Sequence, residues 1–152
     1  RLTDLIREDL ILSDLQAESK KAALRELAAV ACDGGNGLDP DRVLSVLLER
    51  EKLGSTGIGQ GVAVPHGKIS GLKHMAAVLG RSFTGVEFQS LDNAPANLIF
   101  LLLAPEDAQN THLQALAKIC RILKDRGAFE SLMKAEGPRE IFEVLRKEEE
   151  KF

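Results

Sequence analysis

Asn97-Leu98-Ile99-Phe100-Leu101-Leu102-Leu103-Ala104 contains the longest apolar run in the chain, the seven residues 98–104. A run this short falls well below the ~20 residues a membrane helix needs. It is also too continuous for a strand with one wet face, where apolar and polar residues would alternate. It therefore reads as a central strand buried on both sides. Upstream, residues 62–64 and 74–83 form two further strand candidates, with His74 opening the second, and residues 86–88 a short extra one.

Helical patterns flank this block. Ser19 can cap a helix running to about Cys32, with Leu24, Leu27, Ala28 and Ala31 on one face. Asp33-Gly34-Gly35-Asn36-Gly37 ends it as a loop. Asp39-Pro40 is an N-cap followed by proline at the first helical position, and that helix runs to about Lys52 with Val43, Val46 and Leu47 inward. After the strands, Asn110 or Thr111 caps a helix with Leu113, Leu116, Ala117, Cys120 and Leu123 on one face, broken at Arg126-Gly127. A short helix with Phe129, Leu132 and Met133 follows. Gly137-Pro138 opens a last one with Ile141, Phe142 and Leu145, and the charged tail 146–151 is expected in solvent. The segment 2–15 mixes a helical turn with the apolar stretch Leu10-Ile11-Leu12. Helices before and after one block of strands define a single α/β domain spanning 1–152, a mixed sheet covered by helices.

Composition narrows the function. A length of 152 residues can bury a real core. The net charge of −3 argues against a duplex nucleic-acid surface. The absence of Trp and Tyr leaves only Phe for base stacking. Cys32 and Cys120 are far apart and outside any metal or redox motif, as expected of reduced core thiols in a cytoplasmic protein. Neither a signal peptide nor a membrane span is legible, and opening at Arg1 is expected of a trimmed chain.

The chemistry sits in Gly54-Ser55-Thr56-Gly57-Ile58-Gly59-Gln60-Gly61-Val62-Ala63-Val64-Pro65-His66-Gly67-Lys68. Glycine lets backbone approach a ligand and turn its N–H groups inward. Imidazole is the side chain best suited to act as a nucleophile or proton carrier near neutral pH. The run thus reads as an anion-holding loop that ends in a phosphoryl-carrying histidine, His66. The alternative is a turn histidine with no role. The spacing misses a Walker A loop, because five residues separate Gly61 from Gly67-Lys68 and Ile69 replaces the magnesium-binding hydroxyl. It also misses the dinucleotide fingerprint, since a helix precedes the loop where a strand is needed. No cysteine or carboxylate stands at ligand spacing from His66, which leaves a zinc site weak.

Partners for His66 come from two helix ends. His112 lies in the first turn of its helix, where a cationic imidazole is disfavoured and anions are attracted. It is either a neutral donor to a phosphoryl oxygen or a solvated helix-start residue. Arg50, at the end of the preceding helix, can fork onto phosphoryl oxygens or simply complement the helix C-terminus. Ser55 and Thr56 can donate to the same anion or make turn hydrogen bonds. Lys68, two residues past His66, is expected on the opposite side of a strand-like segment. His74 is taken as structural or exposed.

The stretch from Arg50-Glu51-Lys52-Leu53 through Pro65-His66-Gly67-Lys68 resembles the active-site signature of the enzyme IIA family of the bacterial phosphoenolpyruvate-dependent phosphotransferase system. The similarity is to the fructose/mannitol superfamily, and within it to the nitrogen-regulatory type. Leu101-Leu102-Leu103-Ala104-Pro105-Glu106-Asp107 followed by Thr111-His112-Leu113 resembles that family's second active-site segment. The resemblance covers nearly the whole chain. It implies a five-stranded mixed sheet flanked by helices, with His66 phosphorylated on Nε2 by an HPr-like carrier. His112 would hydrogen-bond the phosphoryl group and Arg50 would neutralise it. Ser55, Thr56, Gly57, Gly59, Gly61 and Gly67 would form the phosphoryl-binding loop. No metal or organic cofactor is implied. Expected partners are the HPr-like carrier and either a IIB domain or a regulated transporter or sensor kinase. An isolated domain without membrane spans favours the regulatory type over a sugar-specific one.

Overall fold

The computed structural model describes residues 1–33 and 37–151. A single helical turn, α1 (Leu2–Leu5), and a 3-10 turn (Glu8–Leu10) lead into a short strand, β1 (Ile11–Leu12). Two helices follow, α2 (Lys20–Cys32) and α3 (Pro40–Lys52). The remaining strands are β2 (Gly57–Gly59), β3 (Val62–Ala63), β4 (His66–Ile69), β5 (Ala76–Val86) and β6 (Ala96–Pro105). Helices α4 (Thr111–Lys124), α5 (Arg126–Lys134) and α6 (Pro138–Glu149) complete the fold.

The expected caps form. Ser19 Oγ accepts from Ala22 N at 3.2 Å, and Asp39 Oδ1 accepts from Asp41 N at 3.2 Å with Pro40 in the first turn. Each satisfies an N–H that the helix itself leaves unpaired. In the expected loop after α2, Gly34, Gly35 and Asn36 lie outside the described residues.

Strand β6 is the centre of a mixed sheet, antiparallel to β5 and parallel to β3 and β4, with β1 parallel to β5 and β2 antiparallel to β3. Residues 98–104 are all buried to 1% exposure or less. The two-residue period of a strand sends them alternately to opposite faces. Leu98, Phe100 and Leu102 join the core under α4, α5 and α6, whereas Ile99, Leu101 and Leu103 join the core under α2 and α3. Each fully buried Leu, Ile or Phe contributes about 1.5–3 kcal/mol. The two-sided core is why this run tolerates no polar residue.

The strand expected at 62–64 is longer and interrupted. Val62 pairs with Leu98 and His66 with Leu102, so β3 and β4 follow one register along β6, and six strand segments occupy five positions in the sheet. The break falls at Val64-Pro65. Proline has no N–H to give, but its carbonyl still accepts from Leu102 N at 3.0 Å.

Other boundaries shift for local reasons. The strand expected at 74–83 begins at Ala76 and ends at Val86, with His74 in a bend before it and an irregularity between Arg81 and Val86. Beyond Val86, the expected short strand reduces to one bridge between Glu87 and Ser19. Asp125, not Arg126-Gly127, divides α4 from α5, because its side chain caps α5 by accepting from Ala128 N at 2.9 Å. Leu113, expected inward, is 51% exposed, and the buried face of α4 is Leu116, Ile119, Ile122 and Leu123. The charged tail is largely helical, and Glu149 is buried, its carboxylate accepting from the N–H groups of Leu2 and Thr3 and from Lys118 Nζ. Cys32 and Cys120 are free, half-buried thiols packed on opposite sides of the sheet.

Candidate active site

His66 begins β4, a strand paired to β6 on one side. The end of α3 and the start of α4 rise beside it. Val46, Glu49, Arg50, Leu53, Gly67, Lys68 and His112 line the cleft around the imidazole, which encloses about 390 Å³. The three residues expected to act together, His66, His112 and Arg50, are therefore brought to one place from three separate elements.

The orientation of His66 is set by its own chain. Its Nδ1 lies 2.9 Å from the Val64 carbonyl oxygen. A carbonyl only accepts, so Nδ1 carries the proton and donates it. In the neutral ring the lone pair then belongs to Nε2. Pro65 restricts the backbone between the two partners. Gly67 brings α3 close from the other face: a Cβ there would meet Val46 Cγ1 at 2.9 Å.

His112 sits in the first turn of α4, and its Nδ1 is buried with no hydrogen-bond partner among the described residues. Burial lowers its pKa below the ordinary imidazole value; the Lys68 ammonium and His66 push the same way, and the Gln109 carbonyl opposes. The helix N-terminus favours the same neutral form. A neutral imidazole facing a cleft can offer one N–H to an anion without carrying charge itself.

Arg50 Nη1 donates to the Gly54 carbonyl at 2.9 Å, closing the C-terminus of its own helix. The guanidinium has four further N–H donors. The capping and charge-neutralising roles are thus compatible.

Lys68 was expected on the far side of the strand. Instead it lines the cleft with His66, because side chains two apart on a strand share a face. The two-residue period of a strand-like segment, counted from His66, already places Lys68 on the same face. Leu53, also missed, follows α3 directly and is 84% exposed at the cleft edge.

The glycine-rich loop differs most from expectation. Gly57, Gly59 and Gly61 belong to the β2–β3 hairpin, and each packs against a neighbour. An added Cβ would meet Ser90 Oγ at 2.3 Å, Asp92 Oδ2 at 3.2 Å and Phe129 Cζ at 2.8 Å respectively. Ser55 Oγ donates to the Phe88 carbonyl and accepts from Gly57 N. Thr56 N and Oγ1 both donate to the Glu51 carboxylate. These residues shape the turn and line no part of the cleft; of the expected loop, Gly67 alone does. A larger hollow of about 470 Å³, lined in part by Arg7, Lys73 and His74, shares no residue with the His66 cleft.

An edge-strand imidazole with its Nε2 unengaged thus stands between a helix C-terminus bearing arginine and a helix N-terminus bearing a histidine held below its ordinary pKa, in one cleft of a mixed α/β domain. The chain belongs to the phosphoenolpyruvate-dependent sugar phosphotransferase system EIIA 2 family, whose model matches residues 4–148. It is 44% identical over 144 residues to a nitrogen regulatory protein of Bradyrhizobium diazoefficiens, covering 95% of this chain and 94% of that one. It is 33% identical over 145 residues to the fructose-specific EIIABC component of Bacillus subtilis, covering 95% of this chain but 23% of that protein. The crystal structure of the nitrogen regulatory protein IIA-Ntr from Neisseria meningitidis superposes with a TM-score of 0.89 at 35% identity, covering 95% and 98% of the two chains. Among the described residues no helix is long and apolar enough to cross a membrane.

Proposed function

We propose that this protein is a cytoplasmic histidine phosphocarrier of the nitrogen-regulatory type, in one domain, which takes a phosphoryl group onto Nε2 of His66. The observation that carries this reading is the hydrogen bond from His66 Nδ1–H to the Val64 carbonyl, which leaves Nε2 as the nucleophile at an open cleft.

The transfer balances simply. The Nε2 lone pair attacks the phosphorus of a phosphohistidine on an HPr-like carrier, in line with the bond that breaks. The carrier's nitrogen keeps that bond's electron pair and, its other ring nitrogen already protonated, leaves as neutral imidazole, while the positive charge passes to the Nδ1–H ring of His66. Such a step has a loose transition state, so catalysis is positioning and charge stabilisation. Arg50 and Lys68 supply positive charge around the incoming group. His112, kept neutral, offers an N–H to a phosphoryl oxygen. Leu53 and Leu113, both exposed, give the carrier an apolar edge to dock against.

The regulatory reading is favoured over sugar delivery by the nitrogen regulatory relative that aligns along nearly its full length. In it, the phosphorylation state of His66 changes which target, a transporter or sensor kinase, the cleft face engages. Passage of the phosphoryl group to a IIB domain is the second reading, favoured by the fructose-specific relative. The test incubates the protein with phosphoenolpyruvate, enzyme I and an HPr-like carrier. Acid-labile phosphate should appear on the native protein and be absent from His66→Ala. Binding assays with phosphorylated and unmodified protein should then give different partner sets, and rapid transfer to a IIB domain would shift the reading to sugar uptake.

A further inference from the structure

We propose that Glu51 is a positioning residue that sets the tautomer and orientation of His66 through Thr56 and Val64. The proposal rests on the reading of His66 as phosphoryl acceptor, and its test separates the two.

Glu51 lies at the end of α3, next to Arg50, yet its side chain is 6% exposed and turns away from the cleft. Its carboxylate accepts three hydrogen bonds, from Thr56 N at 3.1 Å, from Thr56 Oγ1, and from Lys20 Nζ at 2.9 Å. Lys20 opens α2, so the buried ion pair ties two helices to the turn that follows α3. Thr56 is itself 3% exposed, and both its polar donors are used in this contact.

From Thr56 the chain of contacts runs straight to the imidazole. The Thr56 carbonyl accepts from Val64 N at 3.0 Å. The Val64 carbonyl accepts from His66 Nδ1–H at 2.9 Å. On the far side, the Pro65 carbonyl is held by Leu102 N at 3.0 Å. The peptides on either side of the Val64–Pro65 bond are thus each held, one by the Thr56 carbonyl and the other by Leu102 of the central strand. If Thr56 slackens, the Val64 carbonyl loses its aim and Nδ1 loses its fixed acceptor.

The carboxylate accepts from all three groups and carries the charge that pairs with the buried Lys20 ammonium. Glutamine would drop that charge and turn its NH₂ to the Thr56 hydroxyl, reversing the donor in the contact that holds Thr56. A residue that merely stabilised the turn would affect folding and leave the His66 ring alone, so the ring is the readout.

The full chain is compared as wild type, Glu51→Gln, Thr56→Val and Thr56→Ser. His66 ring-nitrogen NMR shifts are recorded without phosphorylation, circular dichroism checks the fold, and kcat and KM are measured for uptake from the HPr-like carrier. Glu51→Gln and Thr56→Val should move His66 from the Nδ1–H tautomer toward a mixture. They should lower kcat about tenfold, as expected for a displaced reacting group, with the carrier KM unchanged. Thr56→Ser, which keeps the hydroxyl, should restore both. Wild-type ring shifts in a folded Thr56→Val or Glu51→Gln protein overturn the proposal. If the shifts respond as expected but wild type takes no phosphate on His66, the positioning stands and the acceptor reading falls.

Discussion

His66 Nδ1–H is donated over 2.9 Å to the carbonyl of Val64, two residues earlier in the same strand path. This contact fixes which ring nitrogen of the neutral imidazole keeps its lone pair, Nε2. Ring-nitrogen NMR of the unmodified protein, at a pH where the imidazole is neutral, should therefore show His66 mainly as the Nδ1–H tautomer. A dominant Nε2–H form would contradict the assignment.

His112 should titrate below the ordinary imidazole value, because burial leads and the Lys68 ammonium adds to it. Lys68→Gln should raise that pKa and leave it short of the ordinary value, since burial remains. A His pKa depressed by folding means that the unfolded chain binds the proton first. This contribution to stability is then complete above the unfolded pKa, about 6.5, and is lost as pH falls through it, levelling off below the folded pKa. The check is an NMR titration of the His112 ring in both proteins.

Gly67→Ala should be costly for lack of room. The new Cβ would meet Val46 Cγ1 at 2.9 Å, and α3 must move or Val46 must give way. Overpacking of this kind costs about 1–3 kcal/mol. Arg50 lies one helical turn beyond Val46, so the shift should also slow phosphoryl uptake. Urea unfolding and uptake rates measure the two effects, and adding Val46→Ala should recover part of both.

Arg81→Met should separate stability from activity. Arg81 is 3% exposed, donates through Nε to the Ser13 carbonyl and through Nη1 to the carbonyls of Leu132 and Ala135, and stacks on Phe83. Burial lowers its pKa, with Asp14 opposing. Removing the guanidinium leaves buried carbonyls unpaired at the end of α5, at a cost of about 2–4 kcal/mol. None of its contacts lines the His66 cleft, so phosphoryl uptake by the folded variant should match wild type.

The central strand was legible because residues 98–104 have only one environment open to them, and the caps at Ser19 and Asp39 were legible because capping is local chemistry. Strand β4 was not, because its register comes from β6, more than thirty residues away, and overrides Pro65 and Gly67. Lys68 was misplaced for a simpler reason, since two residues past His66 on a strand-like segment it shares that face rather than the opposite one. Likewise Gly57, Gly59 and Gly61 look like an anion cradle in one dimension, and only the approach of Ser90, Asp92 and Phe129 shows what the missing side chains make room for. Glu51 carried no sequence signal of its own, since a glutamate before a helix end is ordinarily solvated. Its burial depends on Lys20 and Thr56 arriving from either side.

The claim that His66 carries phosphate on Nε2 is tested most directly by NMR of the phosphorylated protein, resolving which ring nitrogen is bonded to phosphorus. Phosphoryl transfer from the HPr-like carrier should yield one species, phosphorylated at His66 Nε2, with Nδ1–H still donated to Val64. Phosphate on Nδ1 of His66, or on any residue in His66→Ala, would overturn it.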